Sequence, residues 1–325
     1  MTVVAVCGAT GKQGGGLVNA LLKRGAGEFT IRGLTRNPDS ASAKELAARG
    51  VEVVKADFDD IDSLKAAFQG ADAVYAVTDF WAACGLSAEK ELQHGKNLVD
   101  AAKATGIKHF VWSTLEDTRK YLPSLKLVSG PYAVPHFDAK GEIDDYMKAQ
   151  LGQAGTSLYT SMYFDNLLPG GGMDPKPTPA GDGTFGVFIP TGGKEMGWVA
   201  VDDIGGVAAG VIAAGPEKYG GKNVPAIGEY ITAAKVCEIL SNVTGKTINA
   251  GDAPPEAWAQ AVIGFGVPEV VALDLANMFA YYVEGAEDFK ALRPLEESKA
   301  LFPEIKGFAE FAELHKDEFI KALSS

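Results

Sequence analysis

A glycine-rich turn near the start of the chain places the strongest constraint on its fold. Residues 3–7 are apolar and predict a buried β-strand, and residues 8–14, with the sequence Gly-Ala-Thr-Gly-Lys-Gln-Gly, follow at once. An apolar stripe at helical spacing then predicts a helix: Leu17, Val18, Leu21 and Leu22. Glycines at these spacings let backbone N–H groups approach a phosphate pair at the N-terminus of the helix. This order of elements is typical of a dinucleotide-binding fold, and chance glycines in an ordinary turn are the alternative.

The end of the second predicted strand distinguishes between two dinucleotides. Residues 29–35 form this strand, and Arg36 and Asn37 follow where a protein that binds NAD usually has an acid for the ribose hydroxyls. The planar guanidinium of an arginine matches the oxygens of a 2′-phosphate. The sequence therefore favours NADP as the cofactor, and a solvated arginine in a turn closed by Pro38 is the alternative.

Strand and helix patterns alternate through the first half of the chain. The predicted strands are residues 3–7, 29–35, 51–54, 71–77 and 108–112. This alternation predicts an α/β fold, a doubly wound parallel sheet of the Rossmann type with a smaller, mostly helical C-terminal lobe. We expect residues 1–157, completed by residues 196–228, to form the dinucleotide-binding domain. Residues 158–195 and 229–325 then form the smaller lobe over the cofactor cleft.

Charge and composition exclude several function classes. The 325 residues include 42 acids and 30 bases, and the net charge of −12 argues against direct binding of nucleic acid. Cys7, Cys84 and Cys237 have no CxxC spacing, so neither a disulfide framework nor a metal site is predicted. Charges such as Asp202 and Asp203 interrupt the apolar segments, and no basic leader is present, so we expect no membrane span and no export. A cytoplasmic location is predicted, with the nucleus as a second one.

Segments spread over nearly the whole chain resemble the NmrA-like family. They are residues 3–14, 35–38, 77–81, 136–142, 163–168, 190–192, 201–205 and 274–279. The chain is most similar to the NADPH-sensing branch, atypical short-chain dehydrogenase/reductase relatives that bind NADP and regulate protein partners according to redox state. Together with the glycine turn, this resemblance implies that NADP(H) is bound by Gly8, Thr10, Gly11, Lys12, Gln13, Gly14, Arg36, Asp57, Phe58, Thr78, Phe80, Lys140, Tyr163 and Asn166.

Proton transfer is where the sequence departs from the active short-chain dehydrogenases. Those enzymes use a tyrosine with a lysine four residues later, and here only His136 and Lys140 have that spacing. Tyr132 lies one turn earlier, but Pro131 and Pro135 disfavour a continuous helix through it. Lys140 could hold the nicotinamide ribose, as the matching family lysines do. It could also carry the proton itself, as in the related phenylpropanoid reductases, or be a surface lysine.

Hydroxyl and aromatic side chains supply the remaining candidates. Ser113 follows the fifth strand, where enzymatic relatives hold a hydroxyl against the substrate, although hydroxyls at such positions also cap helices. Phe80 and Trp81 could stack beside a nicotinamide or belong to the core. His94 and His109 are expected to have no chemical role.

Two functions of different classes are consistent with this sequence. One is an NADP(H)-binding redox sensor that acts through a regulatory protein partner, and the missing tyrosine and the acidic composition favour it. The other is an NADPH-dependent reductase of a quinone-like or phenylpropanoid-like substrate, with Lys140 and Ser113 as its catalytic candidates.

Overall fold

The computed structural model describes residues 1–25, 27–178 and 180–324. The strands in these ranges are β1 (Thr2–Val6), β2 (Phe29–Thr35), β3 (Glu52–Lys55), β4 (Ala73–Ala76), β5 (His109–Thr114), β6 (Gly155–Tyr159), β7 (Met162–Tyr163), β8 (Lys176–Pro177), β9 (Phe185–Phe188), β10 (Glu195–Val199), β11 (Asn223–Pro225), β12 (Glu229–Thr232) and β13 (Ile248–Gly251).

The α-helices in the same ranges vary from one turn to five. They are α1 (Lys12–Lys23), α2 (Ala41–Ala48), α3 (Ile61–Phe68), α4 (Ala88–Thr105), α5 (Thr118–Tyr121), α6 (Pro135–Leu151), α7 (Val201–Ala214), α8 (Pro216–Tyr219), α9 (Ala233–Thr244), α10 (Pro255–Gly264), α11 (Glu269–Glu284), α12 (Ala286–Ala291), α13 (Leu295–Leu301), α14 (Phe308–Leu314) and α15 (Lys316–Ala322). None of the described helices is both long and apolar enough to cross a membrane.

The central sheet has seven parallel strands in the order β11-β6-β5-β4-β1-β2-β3. The chain runs outward from β1 to β3 on one side and from β4 to β11 on the other. The carboxyl ends of β1 and β4 therefore flank the point where the strand order reverses, and ligands bind at such a point in open α/β sheets. The predicted fold class is confirmed.

Helices cover both faces of this sheet. On one face α1 packs closely against α7, because a Cβ on Gly205 would lie 2.2 Å from the carbonyl carbon of Gly16 and only glycine permits this approach. On the other face α3, α4 and α6 bury a second apolar cluster that includes Phe68, Leu98 and Ile143. Apolar clusters therefore pack the helical layers onto both faces of the sheet. This packing holds the carboxyl ends of the strands in place.

The C-terminal lobe contains two small sheets, β12-β10-β7 and β13-β9-β8, with most of the remaining helices. Its core is rich in aromatic rings, and Phe164 stacks on Trp198 with ring centroids 6.0 Å apart. The predicted completion of the first domain by residues 196–228 includes β11, which extends the central sheet, but also β10, which pairs with lobe strands. The proposed division into two domains stays a prediction.

Some predicted boundaries differ from those observed. The second strand is an exception, because it lies at Phe29–Thr35 as predicted. The fifth continues past residue 112 to Thr114, because residues 113 and 114 pair with β6. The fourth was predicted at residues 71–77 and is shorter, at Ala73–Ala76. These shifts leave the order of the elements unchanged.

Candidate active site

A cleft of about 1040 Å³ runs along the carboxyl ends of the central strands. Its wall includes Asp57, which follows β3 in the sequence, and Ser161, which follows β6. These strands are five positions apart in the sheet, which at about 4.8 Å for each step gives a length of about 24 Å. The cleft is therefore long enough for an extended dinucleotide lying across the reversal point.

The glycine turn forms the middle of the cleft floor. Gly8 has a φ of +63°, and the N–H of Gly11 donates to the carbonyl of Gly8 at 2.8 Å. Gly11 is the N-cap of α1, and this helix has neither a side-chain cap nor an acidic residue in its first turn. A Cβ on Gly14 would lie 2.3 Å from the Gly8 oxygen, so the turn and the helix touch through their backbones. This exposed helix terminus is suited to an anion such as a pyrophosphate.

Gln13 connects the glycine turn to three strands. Its Oε1 accepts hydrogen bonds from the hydroxyls of Tyr75 and Ser113, both at 2.7 Å, and its Nε2 donates to the Tyr163 hydroxyl at 2.6 Å. Burial raises the pKa of Tyr163, so its phenol stays neutral. Ser113 is buried behind Gln13 and does not line the cleft. Its catalytic role stays a prediction, and its placement favours a structural role in supporting Gln13.

The end of β2 has the character expected for a phosphate-binding site. Arg36 is exposed, lines the cleft and forms no ion pair or hydrogen bond with another described residue. Asn37 accepts a hydrogen bond from the backbone of Asp39, and no acid occupies the end of the strand. The guanidinium is thus free to bind a 2′-phosphate.

His94 lies in the cleft wall. Nothing in the sequence indicated this position, since no chemical role was predicted for His94. Its Nε2 is 2.9 Å from Asp59 Oδ1, and this hydrogen bond lowers the pKa of Asp59. Its Nδ1 is 3.5 Å from the Sγ of Cys84, whose pKa burial raises to about 12. The thiol is therefore protonated and unreactive at neutral pH. The edge of the His94 ring meets Phe58, so these groups shape the wall near the end of β3.

Lys140 is held by three hydrogen bonds rather than exposed as a surface lysine. Its Nζ donates to the carbonyl and to the hydroxyl of Thr78 at 3.1 and 3.0 Å, and to Glu91 Oε1 at 2.5 Å. Glu91 is fully buried, and its Oε2 has no partner among the described residues. The ammonium is thus the counter-charge of a buried carboxylate. This pair was not predictable from the sequence, because acidic residues at the start of a helix are usually solvated.

His136 and Asp274 form a second buried pair in the wall. Helix α6 begins at Pro135, which confirms that no continuous helix runs through Tyr132. His136 Nδ1 lies 2.7 and 2.8 Å from the two carboxylate oxygens of Asp274 on α11. The Trp81 ring packs on this imidazole at 5.0 Å and is 43% exposed at the mouth of the cleft.

The part of the cleft wall that belongs to the lobe is apolar, and we call this part of the cleft the apolar chamber. Most of its lining comes from the lobe and consists of Met173, Trp258, Leu275, Met278, Phe279 and Tyr282. Asn166 also lines the cleft and donates to the sulfur of Met162 at 3.2 Å. The chamber can bury a flat, uncharged ligand beside Lys140 and His136.

The structure brings the predicted cofactor-binding residues together. All fourteen, from Gly8 to Asn166, line this one cleft, although each individual contact stays a prediction. The described residues include no group of three or more side chains that could hold a metal ion.

Comparison with known proteins agrees with this arrangement. The model of the NmrA-like family matches residues 1–312. The chain belongs to the NmrA-like family. An NmrA-like family domain-containing oxidoreductase of Aspergillus hancockii is 31% identical over 280 residues, which cover 82% of this chain and 79% of that protein. The predicted resemblance is confirmed.

Solved structures of other proteins share the fold of this NmrA-like chain. NmrA, a negative transcriptional regulator in complex with NADP, has a TM-score of 0.77 at 22% identity, covering 99% of this chain and 97% of that one. A complex of NmrA with NAD has also been solved. An NADPH-dependent quinone oxidoreductase from Escherichia coli, complexed with NADPH, has a TM-score of 0.70 at 20% identity, covering 96% and 99%.

Proposed function

We propose that this protein is an NADPH-dependent reductase of flat, aromatic carbonyl compounds or alkenes, such as quinone-like or phenylpropanoid-like acceptors. The observation that carries the proposal is the apolar chamber, which adjoins Lys140 and His136 at one end of the cleft. An apolar wall of this kind can hold the ring of an aromatic acceptor. A relative that is named an oxidoreductase, 31% identical over 280 residues, supports the same function.

The residues of the cleft fit a nicotinamide dinucleotide. The uncapped N-terminus of α1 can bind a pyrophosphate, and Gly14 allows the helix to approach the turn backbone to backbone. Arg36 offers a free guanidinium for a 2′-phosphate. NmrA binds NAD and NADP, and the Escherichia coli quinone oxidoreductase binds NADPH, which supports the same cofactor class here.

Each part of the cleft then has a distinct task. The reduced nicotinamide supplies a hydride when it is bound. The aromatic and aliphatic side chains of the chamber hold the acceptor and exclude water from it. Lys140, held by Glu91 and Thr78, is the candidate either to bind the nicotinamide ribose or to stabilise negative charge that develops on the acceptor.

The purified protein is expected to oxidise NADPH in the presence of at least one member of a panel of small quinones and aromatic unsaturated ketones. Simple aliphatic alcohols with NADP⁺ are expected to give little turnover, because they cannot fill the chamber. The decrease in absorbance of NADPH measures the rate, and product analysis confirms that the acceptor is reduced. The absence of turnover with every acceptor, in protein that binds NADPH, would contradict the proposal.

A redox sensor that acts through a regulatory protein partner is the second candidate. It is favoured by the three hydrogen bonds that already occupy Lys140 and by the absence of a tyrosine at the usual position. The structural similarity to NmrA, a transcriptional regulator, is compatible with it. A sensor would bind NADPH and NADP⁺ without reducing any acceptor, and its binding to a partner would depend on which of the two is bound.

The protein is expected to bind NADP(H) more tightly than NAD(H), because Arg36 is unpaired and no acid ends β2. Arg36→Ala should remove most of this preference, since a charge-assisted contact is worth about 1.5–3 kcal/mol, or about tenfold or more in affinity. Calorimetric titration with both cofactors measures the ratio. Arg49→Ala is the control, because Arg49 bonds to Asn19 on the surface. Equal affinities in the unmodified protein would contradict the assignment of NADP.

Gly14→Ala is expected to lower both dinucleotide affinity and stability. Its new Cβ would lie 2.3 Å from the Gly8 oxygen, and this backbone contact can relax only if α1 moves away from the turn. Overpacking of this kind costs about 1–3 kcal/mol. Gly15→Ala is a matched control, because its Cβ would meet Ala9 at an ordinary 3.6 Å and helix propensity favours alanine by about 1 kcal/mol. Thermal unfolding and NADP⁺ titration compare the two variants, and equal effects would show that the turn is misplaced.

A further inference from the structure

The carboxylate of Asp274 determines the protonation of one nitrogen of His136. Asp274 is 1% exposed, and His136 is the only hydrogen-bond partner of its carboxylate among the described residues. An ionised carboxylate only accepts hydrogen bonds, so the imidazole must carry a proton on Nδ1. The pair joins α6 to α11 across 138 positions of sequence. The position of the lobe therefore sets the orientation of the ring.

The other nitrogen, Nε2, faces no competing partner. No hydrogen bond joins it to any residue in the described part of the chain, and it is not among the buried polar atoms that lack a partner. His136 itself lines the cleft, so Nε2 is accessible from the cleft. A buried aspartate behind the ring can stabilise the positive charge that the ring carries when both nitrogens are protonated.

Other polar groups at this end of the cleft are less suited to donate a proton. Lys140 uses its three protons on Thr78 and Glu91. The Tyr163 oxygen accepts a hydrogen bond from Gln13, and burial raises the pKa of this phenol, so it holds its proton more tightly than a free tyrosine does. Burial raises the pKa of the Tyr282 phenol well above its usual value, so this group retains its proton at neutral pH.

We propose that His136 is the proton donor of the reductase and that Asp274 is its positioning residue. This proposal rests on the reductase function proposed above. His136 precedes Lys140 by one helical turn, so both side chains lie on the same face of α6. Active short-chain dehydrogenases have a tyrosine as the acid four residues before the lysine. In this chain His136 occupies that position and would take over that role.

The step starts from the His136 imidazolium, which carries a proton on both ring nitrogens. The acceptor gains two electrons and one hydrogen as the hydride that NADPH supplies, and its oxygen gains a second hydrogen from Nε2. The Nε2–H bond breaks and an O–H bond forms, while NADPH is oxidised to NADP⁺. His136 then remains neutral with its proton on Nδ1, held by Asp274, and Nε2 takes a new proton from water in the open cleft.

His136→Gln is expected to lower the single-turnover rate about 10²–10⁴-fold, the usual contribution of a positioned acid, and to leave the dissociation constant of NADPH essentially unchanged. In His136→Ala, added imidazole should restore part of the rate, because a small acid can enter the cleft. His315→Gln is the matched control, since His315 also bonds an acid, Glu318, at 2.7 Å but lies between the last two helices, outside the cleft. Its rate should equal that of the unmodified protein.

A measurement on the protein without cofactor tests the pair itself. In ¹⁵N-histidine spectra the neutral His136 ring should carry its proton on Nδ1. Asp274→Asn should move it to Nε2, because an amide N–H can donate to Nδ1, and the single-turnover rate should fall. A neutral ring in the unmodified protein with its proton on Nε2 would overturn the role of Asp274.

The possible failures are distinguishable. If the unmodified protein reduces an acceptor and His136→Gln retains its full rate, the proton donor is wrong and the reductase function stands. A loss of rate in His136→Ala that imidazole leaves unrestored, together with weaker NADPH binding, would identify His136 as a structural residue. If the unmodified protein reduces nothing on the panel, the reductase function and the proton donor are both overturned.

Discussion

Arg293→Met is expected to lower the free energy of unfolding by about 3–5 kcal/mol, because it leaves a buried carboxylate without its cation. Arg293 and Glu116 are both fully buried and form two parallel hydrogen bonds of 2.7 and 2.6 Å. Glu116 follows β5 in the central sheet, whereas Arg293 lies in the lobe between α12 and α13. The Nε of Arg293 also donates to the carbonyl of Thr160 at 2.8 Å. This one side chain therefore connects the lobe to the ends of two central strands.

A double variant distinguishes the energetic effect of the unpaired charge from the effect of lost packing. Arg293→Met with Glu116→Leu removes both charges and should recover most of the lost stability, since buried pairs are often replaced by apolar groups at little cost. Arg24→Met is the surface control, because Arg24 only approaches Glu28 at 4.0 Å, and its effect should stay within about 0.5 kcal/mol. Urea unfolding followed by circular dichroism measures all three. A cost below about 1 kcal/mol for Arg293→Met alone would refute the assigned role.

Local sequence patterns were sufficient to predict the fold and the floor of the cleft. The apolar strands, the glycine turn and the helix stripe depend on neighbours a few positions apart, and β2 was placed at its observed bounds. Fold class follows from the alternation of such patterns. The cleft residues near Gly8 and Arg36 were predicted for the same reason, because they stand at the ends of predicted strands.

The charged pairs that organise the site were not predictable in the same way. Lys140 and Glu91 are 49 positions apart, His136 and Asp274 are 138 apart, and Arg293 and Glu116 are 177 apart. Each charge taken alone resembles a solvated residue on a helix or loop, and only the tertiary fold removes it from water. A signal did exist for Asp274, which is the acid of the distinctive segment 274–279 and stands among apolar residues on α11.

The lobe was the least predictable region. Its strands are short, and β8 has only two residues, Lys176 and Pro177, so no alternation of apolar and polar residues can develop. Its contribution to the site also depends on packing, because Trp258 and Phe279 meet in the chamber wall at a ring distance of 5.3 Å although they lie on different helices. Because of this chamber we propose the reductase as the function in preference to the sensor.

Lys140→Met is expected to lower the free energy of unfolding, and this loss would obscure any direct effect of the substitution on function. The substitution would leave Glu91 fully buried with one oxygen that already has no partner and another that keeps only the Thr78 hydroxyl. Breaking a buried pair from one side costs about 3–5 kcal/mol, a large part of the total stability of a domain. Urea unfolding measures the loss, and Lys103→Met is the control, because Lys103 bonds to Gln150 on the surface. A midpoint unchanged from the unmodified protein would contradict the buried pair.

The double variant Lys140→Met with Glu91→Gln makes the functional test possible. The introduced amide would be neutral and could still accept a hydrogen bond from Thr78, so most of the stability should return. In this background, weaker NADPH binding would assign Lys140 to the cofactor, as the family resemblance implies. Unchanged binding with a single-turnover rate reduced by about 10²-fold or more would assign the lysine to the developing charge of the acceptor, because such electrostatic contributions act in the transition state alone. Full rate and full affinity would leave the ion pair with Glu91 as the only function of Lys140.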